Sequence, residues 1–415
     1  MKNLTTTLLM LLMLLCSQSS FAQSEIWTRD YKTLEASIKE PPFGEKTYSI
    51  TKYGAKTNAT AAKNQKAINK AIADCSKKGG GVVTVPAGVW NTGAITLLTG
   101  VNLHLEKDAV IRFAFDRDLY PNVLTRWEGL DCINYQPCIY AYRQDNIGIT
   151  GEGTIDGAAT WETWWPMCGK SKAANMELEE TQRNPDGRPL LLKQAEDGVD
   201  KMERVFGKGK GLRPQLVNLY ECNGILIEGV KMTDSPFWVM HPLLSKNIVV
   251  RNVTVVNDGP NGDGCDPESC ENVLIEGCTF QTGDDCIAIK SGRNADGRLW
   301  NVPSKNIIIR NCSFKDGHGG VVLGSEISGG CQNVYVENCE MDSPNLDRVL
   351  RIKTNPCRGG IIENIYFRNV KVGQCTEAVL KINLDYEPKE LCCRDYPPTV
   401  RNVYMENVTC KKSKY

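Results

Sequence analysis

The sequence predicts an all-β fold: a single-stranded, right-handed parallel β-helix (a solenoid) with an N-terminal capping helix. Two observations carry this. A phrase of the form Asn-apolar-x-apolar-x-Gly/Asn-apolar recurs as NIGITGEG (146), GILIEGVKM (224), NIVVRNVTV (247), NVLIEGCTF (272), NIIIRNCSF (306), NVYVENCEM (333), NIYFRNVKV (364) and NVYMENVTC (402). From 224 onward the starts lie 23, 25, 34, 27, 31 and 38 residues apart. A short period with variable insertions marks a stack of similar coils. Each unit also holds two or three runs of alternating, β-branched character broken by turn residues, so the coils are made of strands. Parallel strands from successive coils then lie about 4.8 Å apart, and right-handed crossovers are the rule for parallel connections.

The chain begins with a segment that reads as a leader. Lys2 is followed by the apolar run Leu8 to Leu15 and by Ser20-Phe21-Ala22 before Gln23. This is the pattern of a cleaved secretory signal over residues 1–22, and the run is too short to span a bilayer. Cys16 raises a lipoprotein reading, disfavoured by the bulky Leu14 and Leu15 before it. The protein is therefore expected to be exported, to the periplasm or beyond the cell, with residues 23–415 forming a β-helix catalytic domain. Residues 24–50 suggest a short helix, and 48–54 (YSITKYG) a first strand. Ile68, Ala71, Ile72 and Cys75 recur at helical spacing over Thr60–Lys77 and are stopped by Gly79-Gly80-Gly81. That helix is the expected cap, since an open solenoid end exposes core. Short strands follow at 82–86, 94–97, 101–106 and 109–113. Residues 158–214 interrupt the repeat as a long loop. Its Trp161, Trp164 and Trp165 suit either a platform for a sugar face or packing of the loop onto the barrel. Beyond about 385, Pro388, Pro397 and Pro398 suggest a segment that closes the far end.

Composition bounds the function. Lys+Arg and Asp+Glu are both 49, so formal net charge is zero, and no global basic field for nucleic acid exists. Recognition of an acidic partner needs a local cluster. Of the 18 Cys, Cys222, Cys278, Cys312 and Cys339 share one phase of the repeat and read as small apolar core residues. Asn247, Asn272, Asn306, Asn333, Asn364 and Asn402 are expected to stack at a turn, each amide bonding the next coil.

Four polar clusters stand out on this background: NGDG (Asn261–Gly264), TGDD (Thr282–Asp285), DGHG (Asp316–Gly319) and RIK (Arg351–Lys353). Aligning Cys286–Lys290 with Gly320–Gly324 and Val349–Lys353 puts Asp263 beneath Asp285 and Asp284 beside His318. Arg351 and Lys353, two residues apart, point to one face. Crowded carboxylates cannot all ionise together, so at least one is expected to hold a proton near neutrality. A protonated acid beside ionised carboxylates suits glycoside hydrolysis. Two cations alongside suit a sugar carboxylate. Taken singly, each Asp also fits a calcium site or a polar turn.

These four clusters, in this order and on this repeat, resemble the polygalacturonases of glycoside hydrolase family 28, from YGA at 53 through the repeats. The family's Asn-Thr-Asp corresponds to Asn261-Gly262-Asp263, with Gly in place of Thr. Its paired aspartates match Asp284-Asp285, its Gly-His-Gly matches Gly317-His318-Gly319, and its Arg-Ile-Lys matches Arg351-Ile352-Lys353. The resemblance implies inverting hydrolysis of α-1,4-galacturonosyl links in pectin, without a cofactor or metal. It casts Asp284 as general acid, Asp263 and Asp285 as residues that position and activate water, and His318 as support for the acid. Arg351 and Lys353 would hold the galacturonate carboxylate, with Asn261 and Arg293 as further substrate contacts. The stretch TGDDCIAIKSGRNADG is similar to bacterial exo-acting members. The expected partner is a pectic polysaccharide or oligogalacturonide, met by a monomer. Two alternatives remain at this point: β-elimination by a pectate lyase-type β-helix, and a non-catalytic polysaccharide-binding β-helix.

Overall fold

The computed structural model describes residues 25–170 and 180–415; the expected leader at 1–22 lies outside them. The chain winds as a right-handed parallel β-helix in which a full coil carries three strands. One coil runs Glu271–Glu276, Thr279–Thr282 and Ile287–Ile289; the next runs Ser304–Arg310, Ser313–Asp316 and Val321–Gly324. Like positions stack throughout. In the first sheet Ile248 pairs with Val273, then Ile307, Val334, Ile365 and Val403. In the third, Met240 pairs with Cys265, Ile287, Val321, Leu350 and Leu380. Apart from the exposed Leu380 of the last coil, these side chains fill or pack against one continuous core, to which Cys222, Cys278, Cys312 and Cys339 belong as small buried residues. Among the described residues no helix is long and apolar enough to cross a membrane.

The asparagine stack forms as the repeat requires. Each Nδ2 donates to the Oδ1 one coil earlier, from Asn402 to Asn364, Asn333, Asn306, Asn272, Asn247 and finally Asn223, over 2.8–3.3 Å. Each ladder residue from Asn247 onward is left-handed, as at Asn306 (φ 60°), a conformation that Asn tolerates better than most residues. A second Asn stack, Asn407 to Asn369 to Asn338, marks the next turn.

Helix α1 (Tyr31–Ser37) was legible only as a short helix, but its role is clear in the fold. With Trp27 and Ile38, its Tyr31 and Leu34 cover Leu226, Val249, Leu274 and Ile308 on the outside of the first sheet. Those residues occupy the middle of the recurring phrase, which is why NIVV and NIII are apolar at three successive positions: both faces are buried. Helix α2 (Ala61–Lys77) packs Ala67, Ile68, Ala71, Ile72 and Cys75 into the core beside the first strands.

Three expectations are corrected. The strand at 48–54 is confined to Thr47–Ser49, because Ile50–Tyr53 turns as a 3-10 helix. The Pro-containing segment after 385 does not close the solenoid. The last coil is completed by Thr399–Lys412, while Tyr386–Leu391 lies against the outside of the third sheet, tethered by a Cys357–Cys392 disulfide. The 158–214 stretch contains helix α3 (Arg188–Glu196). Trp164 and Trp165 pack onto the barrel rather than stand free as a sugar platform. Trp164 is fully buried among Phe115, Tyr120 and Tyr135, and Trp165 Nε1 donates to the Ser235 carbonyl.

Candidate active site

The outward face of the third sheet carries the polar clusters. Alternation along a strand sends Ile287 and Ile289 inward and Ala288 and Lys290 outward. In the register of the sheet, Arg351 follows Val322 and Lys353 follows Gly324 on that outward side. Backbone bonds lock the coils at the site: Gly264 N–H donates to the Asp285 carbonyl and His318 N–H to the Asp284 carbonyl, each at 3.0 Å. Asp263 therefore stacks with Asp285 and Asp284 with His318, although 55 residues separate the first from the last of them.

Two glycines make room. A Cβ at Gly319 would stand 2.4 Å from Val322 Cγ2 and 3.3 Å from Asp285 Oδ1, so glycine leaves space for that carboxylate. A Cβ at Gly262 would stand 2.5 Å from Asn257 Nδ2. The Gly at this position thus belongs to a locally tight turn that still delivers Asp263.

Oxygens of Asp263, Asp284 and Asp285 lie within 4.8 Å of one another. Asp285 is fully buried and held from two sides, by Lys353 Nζ at 2.7 Å and Arg351 Nη1 at 3.4 Å. Asp284 takes its own backbone bond from Asp285 N–H (3.0 Å) and faces His318 Nδ1 at 3.0 Å. Burial alone would raise Asp284, yet the hydrogen bond and charge of His318, with Lys353 and Lys290, hold it down to about 2. The same hydrogen bond raises His318, whose side chain is 53% exposed. Asp263 behaves oppositely: burial, then the charge of Asp284, pushes it up to about 8. Asp263 is thus the carboxyl that burial and crowding draw toward its protonated form near neutrality.

A cation could be held by three such carboxylates, but both Asp285 oxygens already face side-chain cations and Lys290 stands 3.6 Å from Asp263. Lysine and arginine supply the positive charge that a metal would otherwise bring. The Cys357, Glu390 and Cys392 group has its sulfurs joined to each other.

Arg293 is corrected. It is 1% exposed, and its three nitrogens engage Glu390 (2.7 Å), Glu387 (3.1 Å), Glu128 (3.2 Å) and Glu326 (3.3 Å). It is an anchor that ties loops together, with its donors already used, and not a contact for a sugar. Asn261 lines the cleft, but its Oδ1 accepts from Arg213 at 2.6 Å, which fixes the turn leading to Asp263.

Several site residues carried no motif. Lys290 and Asp266 lie on the outward column, and following the register along IAIK and GCD would have found them. Tyr386 lies 5.5 Å below the Arg351 guanidinium and 5.3 Å from Lys353 Nζ. Glu128, Arg188 and Glu326 complete the wall of a cleft of about 390 Å³. Glu128 and Glu326 come from loops without periodicity and Arg188 from the first residue of α3, so nothing in their sequence context announces them. Toward the C-terminal ends of the strands, three loops are joined across the cleft by Arg188–Glu128 at 2.6 Å and by Arg293 to Glu128 and Glu387.

The model of the glycosyl hydrolases family 28 matches residues 201–414. A probable polygalacturonase of Vitis vinifera is 32% identical over 74% of this chain and 57% of its own length. An exo-poly-alpha-D-galacturonosidase of Dickeya chrysanthemi is 28% identical over 88% of this chain and 63% of its own length. The chain thus spans about three fifths of these curated relatives. The solved exopolygalacturonase of Thermotoga maritima is 41% identical, with a TM-score of 0.88 over 93% of this chain and 85% of that one. Family match, identity and superposition agree with the stacked motifs: the chain belongs to the glycosyl hydrolases of family 28.

Proposed function

We propose that this protein hydrolyses α-1,4-galacturonosyl linkages of polygalacturonate from a chain end, with inversion at the anomeric carbon. The observation that carries the reading is the column in which Asp263, Asp284 and Asp285 share one small space beside Arg351 and Lys353. Arg351 and Lys353 bind the galacturonate carboxylate, since paired donors on neighbouring positions suit a carboxylate. That carboxylate brings negative charge beside Asp284 and against Lys353, which after His318 helps to hold Asp284 low. Asp284 therefore rises on substrate binding, takes over the proton that Asp263 holds in the unliganded protein and gives it to the leaving oxygen, which leaves Asp263 ionised to accept the proton of the attacking water. Asp263 and Asp285 are close enough to share one water and direct it at the opposite face of the sugar.

The 4.8 Å limit applies to nearest oxygens; with about 1.2 Å for each C–O bond, the carboxyl carbons can stand roughly 7 Å apart, within the span of inverting enzymes. Chain-end action is supported by the loops joined through Glu128, Arg188 and Arg293, against which a chain terminus abuts. The names of the Dickeya chrysanthemi and Thermotoga maritima relatives carry the same sense. Export with residues 1–22 removed, and action as a monomer, belong to the same reading. Mass spectrometry of the secreted protein, with Gln23 expected first, checks the former, and light scattering the latter.

The test is product analysis on polygalacturonate with chelator present. Saturated reducing ends are expected, and the Asp284→Asn variant is expected to release almost none. Unsaturated ends would favour β-elimination. No product at all would favour a binding protein.

A further inference from the structure

Asp266 lies on the same coil as Asp263 and on the same outward side of the third sheet. It is fully buried, and neither of its carboxylate oxygens has a hydrogen-bond donor among the described residues. Lys290 Nζ stands 3.6 Å from Asp266 Oδ1 and 3.6 Å from Asp263 Oδ2, and nearer Glu326 at 3.3 Å. Asp266 and Asp263 thus converge on one lysine, and after burial the charge of Asp263 is what most opposes ionisation of Asp266. From the next coil Asp285 adds negative charge. From the preceding coil His241 occupies the matching position, but its Nε2 faces Glu268 at 2.8 Å and its Nδ1 faces Asn218 at 3.1 Å. A buried ionised carboxylate without donors is costly. Two facing carboxyls satisfy each other only when one carries a proton.

We propose that Asp266 is a positioning residue for Asp263: the two carboxyls share one proton, with Lys290 as their common cation, and the hydrogen bond between them orients Asp263 toward the cleft. Burial and the charge of Asp263 drive Asp266 well above the usual carboxylate range, in keeping with this arrangement. The inference rests on the hydrolytic reading for its effect on rate, but the shared proton itself is a property of the resting protein.

The experiment compares Asp266→Ala and Asp266→Asn. Alanine removes the partner carboxyl, so kcat is expected to fall about 100-fold and the acidic limb of its pH profile to move up by about one unit, with KM little changed. Asparagine offers Asp263 an N–H in the same place. It is expected to restore kcat to within about tenfold of the parent, with the acidic limb returned. Equal losses in both variants with unmoved limbs would make Asp266 a packing residue and overturn the proposal, as would no change in either. If the alanine variant does not fold, the asparagine variant is read alone: a kcat more than about tenfold below the parent, or a displaced acidic limb, is contrary. Should the parent release no product, the hydrolytic reading fails first. Carboxyl carbon NMR titration of the resting protein then decides the pair. Two coupled steps shared by Asp263 and Asp266 are expected, and independent single-step titrations would overturn the sharing.

Discussion

Two stacks on this solenoid obey one geometric rule and reach opposite ends. The asparagine ladder repeats a self-complementary group: each amide donates to one neighbour and accepts from the other, so six consecutive bonds close without residual charge. The column of the third sheet repeats nothing. Asp263 meets Asp285, Asp284 meets His318, and like charges are brought together at the same coil spacing. Burial then lifts one carboxyl while His318 holds another down. Identical stacking stabilises when the repeated group satisfies itself, and stores reactivity when it does not.

The largest effect should come from breaking the reactive stack. Asp285→Asn removes the carboxylate that both Arg351 and Lys353 face, and turnover of oligogalacturonide should fall by about 10³-fold or more, as for loss of a positioned base. Lys353→Met should come next and should also unsettle the fold. It leaves Asp285 buried with only the longer contact to Arg351, and breaking a buried pair costs about 3–5 kcal/mol, readable by denaturant unfolding.

A third test uses pH. In the folded protein Asp263 is raised from 3.8 to about 8. Between those values the folded state holds a proton that the unfolded chain releases, so Asp263 makes stability fall as pH rises through that window. Asp284, lowered to about 2, acts the other way: its contribution is present above pH 3.8 and is lost as pH falls toward 2. Asp263→Asn should therefore flatten the loss of stability between pH 4 and 8 while abolishing turnover. The smallest effect belongs to the self-complementary stack. Asn306→Ala removes a ladder amide and places alanine at a left-handed position, which should cost about 2 kcal/mol and lower the melting temperature. Turnover should stay near that of the parent. Asn306→Gly should cost less, because glycine accepts the backbone conformation.

Much of the reactive stack was legible because the repeat acts as a ruler. Once Cys286–Lys290 is aligned with Val349–Lys353, the neighbours of Asp285 follow by counting. Asn247 through Asn402 were legible for the same reason. What escaped sits where counting fails. Tyr386 and Glu128 enter the cleft from loops, and Arg188 from the first residue of α3, at positions that no period sets. Arg293 was misread because exposure cannot be inferred for a turn residue when the four glutamates that bury it come from three other loops. The position of the shared proton was also hidden: crowding shows that one carboxyl is neutral, and only burial and the His318 contact decide which.

The most direct measurement is proton NMR of a defined oligogalacturonide during the first turnovers. The account predicts monogalacturonate from the outset, with its new reducing end in the β configuration before mutarotation. A first product of α configuration, a ladder of intermediate lengths, or an unsaturated end would contradict it.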